Sequence, residues 1–369
     1  MMEHSDSGQG RAGLEIEPAR EAAMTIDRAT LEQLVRDIFT AAGSHHHEAE
    51  RIAHYLVEAN LVGHDSHGVI QVSRYVERVR AGQLVPNQTV EIVSENEVLA
   101  VLDGRLGFGQ LIGAEAMHIA LDKCAKFGLS LVALRNAGHL GRIGDWAEMA
   151  AREGKVAILF VNTNGGGILV APHGGIERRL SANPIAAGVP VPGGPPIILD
   201  ISTCTIAEGK IRVAANQGAN VPAGCLLDGQ GRPTTDPQAF YASPPGAILP
   251  LGGHKGFALG VIVEVLAGAL SGGSCSRPGT KAVSNNLLAI VIAPPRLRAR
   301  ADFDQDLADF TAWVKSARTV APNGEILMPG EPEHRSRIER LRNGIPLDAT
   351  TWKQLESVAQ SLGIPGPDV

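Results

Sequence analysis

The sequence predicts a mixed α/β fold of α+β character, shared between more than one domain. Three observations carry this. At 369 residues the chain exceeds what a single hydrophobic core usually organises. Apolar residues recur at helical spacing toward both ends, with short strand-like apolar runs between them. The Gly- and Pro-rich stretch 164–256 breaks any regular strand–helix alternation.

Taken in order, residues 1–23 are polar and aperiodic, with no apolar segment of the signal-peptide kind, and are expected to be disordered. Structure signals begin at Met24. Helices are expected over RATLEQLVRDIFTAAG, over EAERIAHYLVEANLVG and over VIQVSRYVERVRAG, the last stopped by Gly82 and Pro86. SHHHEAE, residues 44–50, reads as a surface helix start. VLAVLD, LSLVALRN and VAILFVN read as strands. The helix IGAEAMHIALDKCAKFG separates the first two, and a helix ending near Gly154 precedes the third. IILDIS, the apolar helix GFALGVIVEVLAGAL and the strand LLAIVIAP follow, before a polar helical tail from about residue 303.

Composition excludes several classes. Hydrophobic content of 44% and charged content of 20% are those of an ordinary soluble globular protein. A net charge of −6 and a pI near 6.1 argue against nucleic acid and anionic membranes as partners. The best apolar run, FALGVIVEVLAGAL, is too short to span a bilayer and carries Glu264 in its middle. Cys124, Cys204, Cys225 and Cys275 are scattered without a C-x-x-C pair. That is neither a disulfide framework nor a zinc knuckle, and it suits a reducing cytoplasm.

Three stretches carry chemistry. In NAGHLGRIGDWAEMA, His139 lies among Gly138, Gly141 and Gly144, with Arg142 three residues on. This looks like a reactive imidazole displayed on a bare turn, its glycines letting a ligand approach the backbone. Its ordinary pKa near 6.5 leaves both protonation forms accessible around neutrality. GHDSHGV offers His64 and His67 with Asp65 between them, and His139 could add a third nitrogen to a metal site. Against a metal, Gly63 and Gly68 interrupt the helical pattern and the run is not H-E-x-x-H. Histidines capping a helix–helix turn are the plainer alternative. A Ser66–His67 nucleophile pair is disfavoured because adjacent side chains diverge. In LPLGGHKGFALG, Lys255 stands beside an expected helix N-terminus, a setting suited to phosphate.

A dinucleotide fingerprint fails its test. Gly107, Gly109 and Gly113 are spaced G-x-G-x-x-x-G, and the following strand ends in LRN where an acid should meet the ribose. A glycine turn closing a loop is the better reading.

GHDSHGV with Tyr75, then NAGHLG, SANP, LDIST, GKIRVA, PTTDP, GGHKGFAL and MPGEPE occur in this order. Together they resemble the malate/L-lactate dehydrogenase family, whose nucleotide-binding fold is not of the Rossmann type. The likeness runs from about Met24 to the end and is strongest to the family's hydroxycarboxylate dehydrogenases. It implies a mainly antiparallel sheet in a nucleotide-binding and catalytic domain over residues 96–299. A helical, dimerising domain would be built from both chain ends, residues 24–95 and 300–369. A homodimer is implied, with no nucleic-acid or membrane partner and a cytoplasmic location.

By position, the resemblance makes His139 the proton donor and acceptor, with His67 beside it in the catalytic pocket. Ser66, Gln71, Tyr75 and Arg142 would line the substrate. NAD or NADP would meet Thr163, Asp200, Ile201, Ser202, Lys255, Gly330, Glu331 and Pro332. No resident metal is implied. One departure stands out: most relatives carry arginine where this chain has Gln71, and a neutral amide cannot make the charge-assisted fork a carboxylate prefers. Arg142 is therefore expected to have taken over the grip on the substrate acid, a surface or dimer salt bridge being the alternative. The expected activity is hydride transfer between NAD(P)(H) and a 2-oxo or 2-hydroxy acid, bulky or aromatic acids included. The alternatives are reduction of cyclic imino acids and, from another class, a metal-dependent hydrolase using His64, His67 and His139.

Overall fold

The computed structural model describes residues 24–279 and 283–365. The leader expected to be disordered, residues 1–23, lies outside the described residues. Strand β1 (Met24–Ile26) leads into α1 (Arg28–Ala41) and α2 (His46–Leu61). Asp27 caps α1, its side chain accepting from Thr30 N at 3.0 Å. The expected third helix is cut short. Two 3₁₀ turns (Asp65–His67 and Val69–Gln71) precede α3 (Val72–Arg80). They are held by Asn60, whose Oδ1 accepts from Val69 N at 2.8 Å, and a Cβ at Gly68 would collide with that amide at 2.1 Å.

Next come β2 (Glu91–Glu95), β3 (Leu99–Asp103), α4 (Gly109–Phe127), β4 (Leu129–Ala137), α5 (Gly144–Arg152) and β5 (Val156–Asn164). Then follow β6 (Ile185–Val189), β7 (Ile197–Ile201), α6 (Glu208–Gln217), β8 (Leu226–Leu227), β9 (Pro233–Thr234), α7 (Pro237–Tyr241) and β10 (Ala247–Ile248). Helix α8 (His254–Val263) widens into a π-type segment, Glu264–Ala269, ahead of β11 (Ser284–Ile292). Helices α9 (Arg300–Lys315) and α10 (Glu331–Asn343), β12 (Ile345–Leu347) and α11 (Ala349–Ser361) complete the order.

The central sheet has seven strands in the order β2-β3-β4-β11-β5-β6-β7. Only β3 and β4 run parallel, joined through α4; every other neighbouring pair is antiparallel. The sheet is therefore mainly antiparallel, as the resemblance implied. Its first strand, β2, falls within residues 24–95, so the expected boundary at 95/96 would separate β2 from β3, its hydrogen-bonded neighbour. All five residues of β2 are exposed, and such an edge strand lacks the alternation that marks a half-buried one.

Two principal apolar clusters position the site. One packs α4 and α5 on the sheet through Ile112, Met117, Leu134, Trp146, Leu159 and Leu287. The other joins α1–α3 to the C-terminal β12 and α11, with Ile345, Leu347, Trp352 and Leu355 beside Phe39 and Leu56. The ends also meet as a short ladder, Met24 opposite Leu347 and Ile26 opposite Ile345. Burial outweighs that ladder. Each buried Ile, Leu or Phe contributes about 1.5–3 kcal/mol, against roughly 1 kcal/mol net per hydrogen bond. Helices α9 and α10 bury no residue.

Helix α5 crosses β6 at Gly188, where an added Cβ would lie 2.2 Å from Ala147 O. Gly188→Ala should therefore cost about 1–3 kcal/mol through overpacking. Gly194→Ala, whose nearest contact would be Val191 at 3.4 Å, should be near neutral. Urea unfolding midpoints compare the two, and equal midpoints would contradict the tight crossing.

Candidate active site

His139 lies on the turn between β4 and α5, and its glycines serve the protein's own backbone. Gly138 N–H donates to Gly107 O at 2.8 Å, and a Cβ at Gly138 would stand 2.5 Å from that oxygen. A Cβ at Gly109 would stand 2.1 Å from His139 O. At Gly144 it would meet Arg142 Nη2 at 2.8 Å and Asp200 Oδ2 at 2.9 Å. Gly141 is needed instead for its φ of 71°. The protein's own packing and backbone conformation thus require these glycines, beside the expected ligand approach. The same packing also explains the failed fingerprint: the 104–110 loop is a packing partner of the His139 turn. Leu140 N–H donates to Asn285 Oδ1 at 2.9 Å and Leu140 O accepts from Trp146 Nε1 at 3.1 Å, fixing the turn on both sides.

The imidazole stacks on His67, with ring centroids 5.4 Å apart and planes 16° from parallel. Its Nδ1 lies 2.6 Å from Tyr75 Oη, which also accepts from Gln110 Nε2 at 3.1 Å. Burial pushes His139 down to about 3, with the charges of His67 and Arg78 adding to it. Burial likewise pushes His67 down to about 4, although the Asp200 carboxylate pulls the other way. Both rings are thus held neutral around pH 7. The expectation that both forms of His139 are accessible around neutral pH gives way, in the free protein, to a ring that burial keeps neutral.

The remaining GHDSHGV residues do other work. His64 Nε2 lies 3.2 Å from Glu333 Oε1 on α10. Among the described residues, no three His, Cys, Asp or Glu side chains gather as a ligand set. The metal-hydrolase grouping of His64, His67 and His139 therefore lacks its geometry. Gln71 Nε2 donates to Ser66 O at 2.7 Å, holding the turn, and α6 closes over it, a Cβ at Gly209 reaching Ser66 Cβ at 2.9 Å.

Arg142 requires a correction. Its side chain is 1% exposed, with Nη1 2.7 Å from Asp145 Oδ1 and 3.6 Å from Glu148 Oε2, and Nε 3.8 Å from Asp200 Oδ2. This guanidinium is buried among three carboxylates of the protein itself and bonded through Nη1, with Nε making no hydrogen bond, so Arg142 belongs first to the scaffold. Arg337 on α10 extends the cluster, donating to Glu148 Oε1 at 3.0 Å and pairing with Glu58. Burial still raises Asp145 to about 6 despite Arg142. Glu148 also suffers burial, but Arg337 and the other arginines override it and bring it to about 2.

Of the positions expected to meet a dinucleotide, Asp200, Ile201 and Ser202 lie on β7 or at its end and Gly330 packs against the strand, while Thr163 is on β5 and Lys255 on α8. Asp200 Oδ2 accepts from Gly144 N at 2.8 Å. Ile201 is half-exposed at the strand end, and Ser202 Oγ donates to Cys204 O at 3.2 Å. Gly330, with φ of 96°, begins α10 against β7, where Ile198 N donates to Pro329 O at 2.9 Å. Glu331 accepts from Met328 N at 2.9 Å and pairs with Lys315, while Pro332 sits in the first turn of α10. Leu251 N–H donates to Thr203 O at 3.0 Å, tying the turn before Lys255 to the same segment. Thr163 on β5 accepts from Asn285 Nδ2 at 2.8 Å. Arg135, at the end of β4, is paired with Asp103 at 2.9 Å. Sequence reasoning missed Gln110, Asn60, Glu148 and Arg337. For Gln110 the signal was present: one amide directly after the GFG turn, at the start of an apolar helix.

Histidines kept neutral by burial bind fewer protons folded than unfolded, so the unfolded chain gains protons below its ordinary value near 6.5. Their contribution is complete above about pH 6.5 and is lost as pH falls toward the lowered values near 3 and 4. Asp145, raised to about 6, acts in the opposite sense and is common to both proteins in the comparison. The double variant His67→Asn, His139→Asn should lose less Tm than the parent between about pH 7 and 4.5. Calorimetry reads this, and parallel Tm curves would show that these histidines do not titrate with folding.

Residues 26–356 match the family model for malate/L-lactate dehydrogenase. The chain is 39% identical to hydroxycarboxylate dehydrogenase B of Escherichia coli K12, covering 94% of this chain and 96% of that protein. Its fold is similar to malate dehydrogenase from Pyrococcus horikoshii OT3, with a TM-score of 0.85 at 30% identity, covering 94% and 98% of the two chains. It is similar as well to the delta1-piperideine-2-carboxylate reductase of Pseudomonas syringae pv. tomato, with a TM-score of 0.80 at 29% identity and coverage of 91% and 100%.

Proposed function

The chain belongs to the malate/L-lactate dehydrogenase family, and from that premise we propose that it interconverts 2-hydroxy and 2-oxo acids with His139 as the proton-transfer group. It is an oxidoreductase of the CH–OH dehydrogenase type, and its relatives are named for hydroxy acids. The observation that carries the role of His139 is its neutral, buried ring, anchored at Nδ1 by Tyr75 and backed by His67. A neutral imidazole so held can remove the proton of a hydroxyl, and it returns that proton when the reaction runs as reduction.

A nicotinamide dinucleotide supplies the hydride chemistry when bound. The residues present fit its phosphates. Gly252 and Gly253, with φ of 59° and 65°, open the turn ahead of α8. A Cβ at Gly253 would meet nothing closer than His173 at 3.5 Å. No side chain caps α8, and Lys255 in its first turn is exposed. Bare amides at a helix start beside an ammonium are a phosphate-binding combination. Asp200, placed between Gly144 N–H and the His67 ring, would orient the end of the cofactor nearest the histidines.

With Arg142 committed to the scaffold, Arg78 becomes the candidate cation for the substrate carboxylate. Its charge reaches both His139 and Tyr75, and it forms no ion pair among the described residues. A second copy of the chain would cover the exposed apolar side chains of α8 and its π-type extension, Val261, Ile262, Val265 and Leu270, giving the expected homodimer. No described helix is long and apolar enough to cross a membrane. Reduction of cyclic imino acids is the second reading, favoured by the fold shared with the piperideine-carboxylate reductase. A panel of 2-oxo acids and cyclic imino acids, each with NADH and NADPH, ranks the two and identifies the dinucleotide.

His139→Ala should lower turnover by roughly 10²–10⁴, the usual share of general acid–base catalysis, with dinucleotide binding retained. Near-normal turnover on the best substrate would remove His139 from the chemistry. Lys255→Ala should weaken dinucleotide binding by about 1.5–3 kcal/mol. Fluorescence titration measures it, and unchanged dissociation constants would place the phosphates elsewhere.

A further inference from the structure

We propose that Gln110 is a positioning residue that decides which ring nitrogen of His139 carries the proton, acting through the Tyr75 hydroxyl. The inference rests on the reading of His139 as the proton-transfer group.

Gln110, Tyr75 and His139 form a buried chain: Gln110 Nε2 to Tyr75 Oη at 3.1 Å, and Tyr75 Oη to His139 Nδ1 at 2.6 Å. Gln110 and Tyr75 are each 1% exposed, so bulk water does not compete for these bonds. The amide lies against the catalytic turn, its Nε2 3.3 Å from where a Cβ on Gly141 would stand. Its other end, Oε1, is buried without a hydrogen-bond partner among the described residues. Burial lifts the Tyr75 phenol to about 12, so the hydroxyl keeps its single proton throughout the neutral range.

One proton on Tyr75 allows the chain only two directions. If the Gln110 N–H donates to Tyr75 Oη, the hydroxyl proton goes to His139 Nδ1. The neutral ring then carries its own proton on Nε2 and cannot accept another there. If the amide presents Oε1 instead, the Tyr75 hydroxyl donates to it, and Oη accepts the Nδ1–H of His139. Nε2 is then bare. The two amide ends are nearly equal in size, so half a turn about the last side-chain bond exchanges them, giving Oε1 the Tyr75 hydroxyl as donor and turning Nε2 to the side where Oε1 stood without a partner.

Only the second direction permits the reaction. The O–H bond of the bound alcohol would break as the Nε2–H bond forms, and a bound nicotinamide dinucleotide would be the acceptor for the hydride from C2. In the resulting imidazolium, Nδ1–H still donates to Tyr75 and Tyr75 still donates to Gln110, so nothing has to rearrange. The titratable and charged groups that bear on the ring are His67, stacked on it and itself neutral around pH 7, and the Arg78 cation; both disfavour the imidazolium. Behind His67 stand Asp200, His64 and Arg142. A backing acceptor at Nδ1 is the local compensation.

Nitrogen-15 spectra of histidine-labelled protein read the tautomer directly, with no turnover required. In the parent at neutral pH, His139, assigned by loss of its signals in His139→Gln, should carry its proton on Nδ1. Gln110→Leu should shift the population toward Nε2–H and lower kcat by about tenfold, a modest part of what acid–base catalysis supplies. KM and the dinucleotide Kd should stay within about twofold, since Gln110 acts on proton transfer rather than binding. Gln110→Glu offers acceptor oxygens at the same place and should restore the Nδ1–H signal and most of kcat, with the pH–rate profile displaced upward. An Nε2–H tautomer in the parent overturns the proposal, and so do equal losses in the two variants with unchanged His139 signals. If His139→Ala keeps its activity, the reading of His139 fails instead, whatever the spectra show.

Discussion

The backbone contact between the start of α4 and the His139 turn is the constraint on which the site depends. Gly138 donates to Gly107, and Gly109 leaves room for His139 O only because it has no Cβ. Through that contact the sheet-borne cluster and the helical cluster share one seam. Helix α4 brings Gln110 from the seam, α3 brings Tyr75 from the helical side, and the turn after β4 brings His139. A methyl group at Gly109 would push the imidazole off its partner, however well the rest of the chain folded.

Electrostatics in the interior divides between two neighbouring arrangements. The histidine pair is kept uncharged by burial, and its hydrogen-bonded partners are a neutral phenol and a neutral amide. Beside it, Arg142 and Arg337 are set among Asp145, Glu148, Asp200 and Glu58. Desolvating such ions costs several kcal/mol each, about what their mutual attraction returns, so the cluster serves position more than stability. It ties α2, α5, β7 and α10 together, and it holds Asp200 where its carboxylate reaches His67. Strand β7 thereby becomes the crossing point of the site, with Gly330 packed against it and the Lys255 turn joined to the residues that follow it.

Long periodic elements were legible in the sequence, among them α1, α2, α4 and the strands β4, β5 and β11, because their apolar spacing repeats often enough to identify. Strands β1 and β12 are three residues each and have no period to detect. They exist because the two chain ends bury Ile26, Ile345 and Leu347 in one cluster. Strand β2 escaped for the opposite reason, being exposed throughout. The histidine turn was legible as unusual. The purpose of its glycines was not, since their partners lie about thirty residues upstream and, for Gly144, at Asp200.

By itself, the sequence determined the family through motifs in order, the mixed α/β character, and the stretches that carry chemistry around His67, His139 and Lys255. Tertiary structure alone decided what each side chain in those stretches faces. Arg142 looked free as a neighbour of His139 and is instead enclosed by acids, one of them Asp200 on a distant strand. His139 looked like a group titrating near neutrality, and burial against His67 and Tyr75 holds it neutral. Gln110 was one amide among many until the fold set it behind the tyrosine. The reason is physical: spacing along a chain encodes local conformation, whereas desolvation, ion pairing and hydrogen-bond direction depend on groups that only folding brings within a few ångströms.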